Sequence, residues 1–480
     1  MVSSIRSATP SRPGRCALPA HSGVSTYEPR NPESSVVVRV LREHLSEFEE
    51  AVEQHVAEAE EPSGSDDASV GTKGLPPWVV SQLRAMASCG DFLRGFTVWQ
   101  CGTCERHRII PFSCKTRVCS SCAARRMNDT AAWLTDRILV RGARWRQYVV
   151  TFPAPLAVGL CFRSALASAV TRLSIRVLFG HQRRRAPASE GRPHPAAVVW
   201  LQRFSDALGC WFHLHALLPD GVFRERPGSL DVEFESQPAP THAEMECLVR
   251  TLSRRVLGLL RRRAAADPAD APLLEQLASA PEATRHRDPT PPPSRVRPAP
   301  RLCVRHDDFT LHAATSVAPG DTQALERLIR YVARPPVSED RLRELDDGRI
   351  QLRLKRARRD GVRAVTFTPV SFIARLAALI PPPGANQVLY FGALATGSPL
   401  RRHILPEPPA STPQRPTAPP RPAKMPHRDL LKRVFLADVT RCPCGGVLTV
   451  VDVVEKPDVV QAVLAAIILC DQAPPRAPPT

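Results

Sequence analysis

An α+β fold is expected for this chain of 480 residues. Two adjacent runs, AAVVWLQRF (196–204) and CWFHLHALL (210–218), have strand length and a short turn between them, which suggests an antiparallel hairpin. Stretches such as VVVRVLREHLSEFEEAVEQHVAEAEE (36–61) repeat apolar residues at helical spacing. A doubled Cys-x2-Cys pattern, Cys101/Cys104 and Cys119/Cys122, marks a small N-terminal unit of zinc-ribbon type.

The elements follow in order. Residues 1–35 are rich in Ser, Pro and Arg and are expected to be disordered. The 36–61 helix leads into an acidic Ser/Gly linker ending near Lys73, and a second helix, about 79–87, follows Leu-Pro-Pro-Trp. MNDTAAWLTDRILV reads as a helix, and RQYVVTFPAPL as a strand stopped by Pro153. One long helical stretch is expected over about 157–178 and a basic helix over 247–263. The Pro/Arg-rich segment 283–300 reads as a mobile insertion. Over 321–336 a helix is expected, with Asp321 or Thr322 as cap and Pro335 as its end. RIQLRLKRARRDGVRAVTFTP reads as a basic hairpin turning at Asp360-Gly361, and VSFIARLAALIPPP as a short amphipathic helix. Residues 406–426 hold nine prolines and read as a linker. The expected units are a helical and zinc-binding domain over 36–140, a larger domain over 145–405, and a small C-terminal unit over 427–480. No internal repeat is visible.

Lys and Arg outnumber Asp and Glu by 65 to 47, a formal net charge of +18. Such an excess favours a polyanionic partner, nucleic acid first and anionic membrane second. No apolar run reaches the ~18 residues that a membrane span requires, and the N-terminus shows no apolar signal region. A cytoplasmic location is therefore expected, with no membrane partner. In a reducing compartment the 14 cysteines point to metal ligands or core thiols rather than disulfides.

A tetrahedral zinc ion needs four ligands, and each Cys-x2-Cys turn offers two thiolates on one side. The expected structural Zn2+ set is Cys101, Cys104, Cys119 and Cys122, with Cys114 or His107 as alternates. Such a site would fold and present a small DNA-binding module.

On a strand, residues i and i+2 share a face, so His213 and His215 point the same way while Leu214 points oppositely. Two imidazoles about 7 Å apart along a strand can converge on one metal ion. The partner strand brings Gln202 near His213 as a candidate oxygen ligand, with Asp206 in the turn as its competitor. Open coordination positions would let a divalent ion polarise a phosphate, and both Mg2+ and Mn2+ are kept in view.

Tyr331 stands out among four tyrosines, because Arg327 and Arg334 at i−4 and i+3 lie on its face of a helix. A phenol titrates near about 10 and is a weak nucleophile. Neighbouring guanidinium groups would favour the phenolate and hold a phosphate. Lys355, Arg356, Arg358 and Arg359 on the basic hairpin are further candidates for phosphate contacts.

These pieces resemble a known family. CGTCERHRIIPFSCKTRVCSSCAARRM, YVVTFPAPL, LQRFSDALGCWFHLHALLPDGVF, LIRYVARPPVSEDRL, LKRARRDGVRAVTFTPVSFIARLAALIPPP and RVFLADVTRCPCGG are similar to the rolling-circle transposases of the insertion sequence ninety-one family, within the HUH superfamily of nucleases. The resemblance spans about 36–460. It implies a zinc-binding domain before an HUH endonuclease domain, whose central antiparallel sheet carries helices on one face. It implies His213 and His215 as ligands of a catalytic Mg2+ or Mn2+, and Tyr331 as nucleophile. The implied partners are single-stranded DNA at element ends and target DNA, and the implied reaction passes through a 5′-phosphotyrosine. Many members carry a second tyrosine, where this chain has Arg327. The family's C-terminal knuckle is commonly CPxCGG. Here Cys442-Pro443-Cys444 is one residue short and is not counted as a site. The alternative is a zinc protein that binds DNA through a non-cleaving HUH centre.

Overall fold

The structure, a computed structural model, describes residues 25–26, 32–60, 74–225, 232–266, 271–279, 302–357, 361–406, 429, 433 and 437–471. The insertion at 283–300, most of the 406–426 linker, and Arg358, Arg359 and Asp360 lie outside the described residues.

Two strands form the middle of the main sheet. They are β4 (Ala196–Phe204) and β5 (Cys210–Pro219), the hairpin expected from the sequence. Strand β3 (Trp145–Thr151) pairs with β5 on the other side. The seven-stranded sheet is completed by β8 (Cys303–His306), β9 (Phe309–His312), β10 (Ser316–Val317) and β14 (Val388–Gly392). Its order is β14-β4-β5-β3-β9-β8, with β10 beside β3 and every pairing antiparallel.

Alternation along β5 divides the molecule. Phe212, Leu214, Ala216 and Leu218 are buried in the larger core, together with helices α4 (Ala154–Phe162), α5 (Ser164–Arg185), α6 (His242–Ala266) and α7 (Ala271–Ser279). His213, His215 and Leu217 face the other way. A one-residue slip would put both imidazoles into that core and expel Phe and Leu side chains worth about 1.5–3 kcal/mol each when buried. The register is therefore fixed by the apolar face, and the histidines inherit their direction from it.

The resemblance implied helices on one face; the structure has them on both. Helices α3 (Ser120–Arg137) and α8 (Thr322–Val332) pack over the histidine side, where Leu134, Leu325, Leu328, Ile329 and Val332 meet Trp145, Val198, Trp200 and Leu217. Those four apolar residues of α8 recur at i, i+3, i+4 and i+7, the spacing that buries one helical stripe. The single helix expected over 157–178 is two, α4 and α5, because Arg163 adopts φ −111 and ψ 81 between them.

A third apolar cluster crosses the boundary expected near residue 140. Helices α1 (Val36–Glu60) and α2 (Pro77–Ala87) pack with Leu342, Ile350, Leu352 and Phe367, and with Phe372, Ile373 and Leu376 of α9 (Pro369–Leu379). The strands involved are β11 (Leu342–Glu344), β12 (Ile350–Arg353) and β13 (Ala364–Phe367), and the last two form the basic hairpin. The C-terminal segment also docks early in the chain. Strand β15 (Leu448–Val454) pairs with β1 (Phe96–Cys101), whose other neighbour is β2 (His107–Pro111). No described helix is long and apolar enough to cross a membrane.

A buried ion pair braces the main sheet from below. Arg146 Nε and Nη2 each donate to Asp220 at 2.8 Å, and Nη1 donates to the carbonyl of Ala313 at 2.8 Å. Both side chains are 5% exposed. Removing one partner strands the other charge in a low-dielectric interior, so Asp220→Ala is expected to cost about 3–5 kcal/mol. Denaturant melts check this; a loss below about 1 kcal/mol would mean that the pair behaves as a surface contact.

Candidate metal centres and nucleophile

The two histidines are held as the strand pattern requires. Their ring centroids lie 5.0 Å apart. Across β4, Gln202 is the register partner of His213 and Trp200 that of His215; across β3 the partners are Thr151 and Val149. His213 Nδ1 is 3.1 Å from the carbonyl oxygen of Trp211, which can only accept. That bond places the proton on Nδ1 and leaves Nε2 with its lone pair. Burial holds the His213 imidazolium down to about 4, and burial together with His213 and Arg334 holds that of His215 well below its usual range. Both rings are thus neutral near pH 7, the form that ligates metal.

His215 Nδ1 is hydrogen-bonded to the side-chain amide of Gln147 at 2.7 Å. The amide nitrogen of Gln147 faces Nδ1 and donates to it, which puts the ring proton on Nε2; a half-turn of that amide would make Nδ1 the donor and free Nε2, the arrangement that outer partners impose on metal-bound histidines. Gln147 carries no signal of its own in the sequence. It precedes Val149 by two residues on the same strand face, so only the β3–β5 pairing reveals it.

Gln202 is buried, and its side-chain nitrogen donates to the carbonyl of Val332. Its Oε1, and Nε2 of His215, are buried without a hydrogen-bond partner among the described residues. Two such orphaned polar atoms on one face suit a cation, once the proton of His215 sits on Nδ1. Asp206, the competing oxygen, is engaged elsewhere. It pairs with Arg341 at 2.9 Å and accepts from the backbone N–H of Lys355 at 2.7 Å.

Helix α8 carries Tyr331 to this place. Asp321 caps it by accepting from the N–H of Ala324 at 2.9 Å. The bond from Gln202 to Val332 ties its last turn to β4. Arg433 braces its outer side, donating to Glu326 at 2.7 Å and to Asp136 of α3 at 2.6 Å. Glu326 also binds Arg330, which draws that guanidinium away from the ring of Tyr331. Tyr331 is 53% exposed, and its ring stands edge-on to His215 at 6.4 Å between centroids. The guanidinium of Arg334 lies 4.5 Å from the ring centroid, and the ammonium of Lys355 5.9 Å from it. Arg327 is exposed on the preceding turn, and Arg356 is exposed beside Lys355.

The cysteines assemble differently from expectation. They form two groups, Cys89 with Cys114, Cys119 and Cys122, and Cys101 with Cys104, Cys442 and Cys444. The expected set of Cys101, Cys104, Cys119 and Cys122 is not brought together, and His107 joins neither group. The β1–β2 hairpin explains why. Cys101 and Cys104 sit at its turn, whereas Cys114, Cys119 and Cys122 follow its open end. Five residues of strand at about 3.3 Å each hold the two ends roughly 16 Å apart.

In the first group the sulfur of Cys122 lies 3.7 Å from Cys89 and 3.5 Å from Cys114, and Cys119 lies 3.7 Å from Cys89. Cys119 and Cys122 open helix α3, whose N-terminal amides favour thiolate. The surrounding sulfhydryls hold Cys119 far below the usual thiol range. Cys89 is a lone cysteine with no ligand motif around it. Its only local sign is the next residue, Gly90, which turns the chain at φ +83.

An antiparallel sheet thus presents His-x-His beside a helix-borne tyrosine, joined to an N-terminal unit that carries a cluster of four cysteines. Residues 196–402 match the family described as "Putative transposase", and residues 63–152 that described as "Transposase zinc-binding domain". Over 320 residues the chain is 26% identical to "Putative transposase y4qJ" of Sinorhizobium fredii, covering 65% of this chain and 73% of that protein. No solved structure matches. The segment similar to the zinc-binding domain precedes the one similar to the transposase, the order that the resemblance to the insertion sequence ninety-one family implied.

Proposed function

We propose that this chain is a rolling-circle DNA strand transferase that nicks and rejoins single-stranded DNA at element ends through Tyr331. The observation that carries the reading is the ring of Tyr331 at 6.4 Å from that of His215, with Nε2 of that histidine buried and unpartnered among the described residues. His213, His215 and Gln202 would hold Mg2+ or Mn2+, which supplies charge compensation for a phosphate in the transition state.

The chain's own groups do the rest. The phenolic oxygen of Tyr331 bonds to phosphorus as the bond from phosphorus to the 3′ oxygen breaks. The phenol gives up its proton, the departing oxygen gains one, and the products are a 5′-phosphotyrosine and a 3′-OH. Reversal by a DNA hydroxyl restores the phosphodiester without ATP. Arg334 and Lys355 flank the ring and would hold non-bridging phosphate oxygens. Burial pushes the Lys355 ammonium down to about 8, so it still carries its charge at neutral pH. Structural zinc is assigned to Cys89, Cys114, Cys119 and Cys122, all within the segment that matches the zinc-binding domain.

Incubation with single-stranded DNA and Mg2+ or Mn2+, followed by denaturing electrophoresis, tests the reading. A metal-dependent covalent adduct at Tyr331 supports it. Cleavage without adduct points to attack by water, and binding alone to the non-cleaving alternative. If Lys355 and Arg356 neutralise phosphates, replacing both with alanine should reduce the slope of log affinity against log salt by about 0.7 per lost contact. An unchanged slope would remove them from the interface.

A further inference from the structure

We propose that Cys101, Cys104, Cys442 and Cys444 bind a second structural zinc ion, one that clasps the C-terminal segment to the turn of the β1–β2 hairpin. The four sulfurs lie within 4.8 Å of one another. Cys101 and Cys444 are 3.6 Å apart, as are Cys104 and Cys442. Zinc–sulfur bonds of about 2.3 Å in a tetrahedron require sulfur separations of about 3.8 Å, whereas a disulfide would draw a pair to about 2.05 Å. Packing alone does not account for the cluster, because Cys104 and Cys444 are exposed. Four thiolates also select zinc over hard cations such as Mg2+.

The one-residue deficit in Cys-Pro-Cys is made good by the loop after it. Gly445 takes φ +90 and donates to the carbonyl of Cys442 at 2.9 Å, and the N–H of Cys442 donates to Gly446 at 2.9 Å. The N–H of Gly446 points at the sulfur of Cys444, and that of Thr103 at the sulfur of Cys101, each at 3.4 Å. Backbone amides aimed at sulfur stabilise thiolate, the form that binds zinc. The two knuckles fit closely. A Cβ on Gly446 would fall 2.6 Å from the sulfur of Cys101 and 2.5 Å from Thr103 Oγ1, so only glycine allows this approach.

The site joins cysteines 338 and 343 positions apart in the chain. It draws on residues outside both family matches, since Cys442 and Cys444 follow residue 402. It stands whether or not Tyr331 cuts DNA.

Zinc in the full-length protein, purified under reducing conditions, decides the matter by elemental analysis. The parent should hold about two zinc ions per chain, and Cys442→Ser/Cys444→Ser about one, the other remaining at the Cys89 group. Cys444→His, which keeps a ligand at an exposed position, should retain about two, while Cys444→Ala should not. A parent that binds about one, or a double variant that binds as much as its parent, overturns the proposal. Should the double variant fail to fold, the parent value and the Cys444 pair still decide it.

Discussion

Tyr331→Phe is expected to abolish the covalent protein–DNA adduct and to lower strand cleavage on the order of 10⁴-fold or more, the usual scale for losing a nucleophile. The substitution removes one oxygen and little else. Phenylalanine keeps the ring, hence the edge-on contact with His215 and the guanidinium of Arg334 above it. The side chain is half exposed, so no buried hydrogen bond is lost and the fold should hold. DNA affinity should stay within about threefold, because phosphate contacts fall to Arg334 and Lys355 rather than to the phenol. Denaturing gels with end-labelled single strands measure both adduct and product. Cleavage persisting at the parent rate would sink the role of Tyr331, whatever the metal does.

Cys119→Ser carries the second large effect. Serine has nearly the shape of cysteine, but a neutral hydroxyl is a poor zinc ligand. Structural zinc contributes about 10–16 kcal/mol of apparent binding free energy, as much as or more than the 5–15 kcal/mol that holds a typical domain together. Cys89, Cys119 and Cys122 belong to the cluster that α1, α2, β11–β13 and α9 share. Loss of the ion should therefore loosen all of these elements, including the hairpin that brings Lys355 to Tyr331. Zinc content should fall by about one ion per chain, with early hydrogen exchange in α1 and α9. Unchanged zinc content would remove Cys119 as a ligand.

What could be read from the sequence was local. His213, His215 and Gln202 were placed by alternation and one hairpin turn, since side-chain direction on a strand repeats every two residues. Tyr331 was singled out by its arginine neighbours, and the structure adds that Arg334 covers the ring while Arg330 is taken by Glu326. Apart from the break at Arg163, which divides one expected helix in two, the failures are pairings between distant segments. Cys89 offers no motif, and Cys442 and Cys444 look deficient until the loop at Gly445 is seen against Cys101. The shared core of α1 and α9 joins residues about three hundred positions apart, and periodicity within either helix says only which face is apolar. Cysteine spacing suggested a single site because it records distance along the chain and ignores the hairpin that separates the two ends.

The brace from Arg433 to Glu326 spans 107 positions of sequence. Translation gives that span a direction in time. Tyr331 leaves the ribosome before Arg433 does, and until then its helix is held against α3 by apolar packing alone, without the ionic brace on its outer side. A chain cut short of Arg433 would therefore keep the apolar stripe of that helix on the sheet but lose the ion pairs that join its Glu326 to Asp136 of α3.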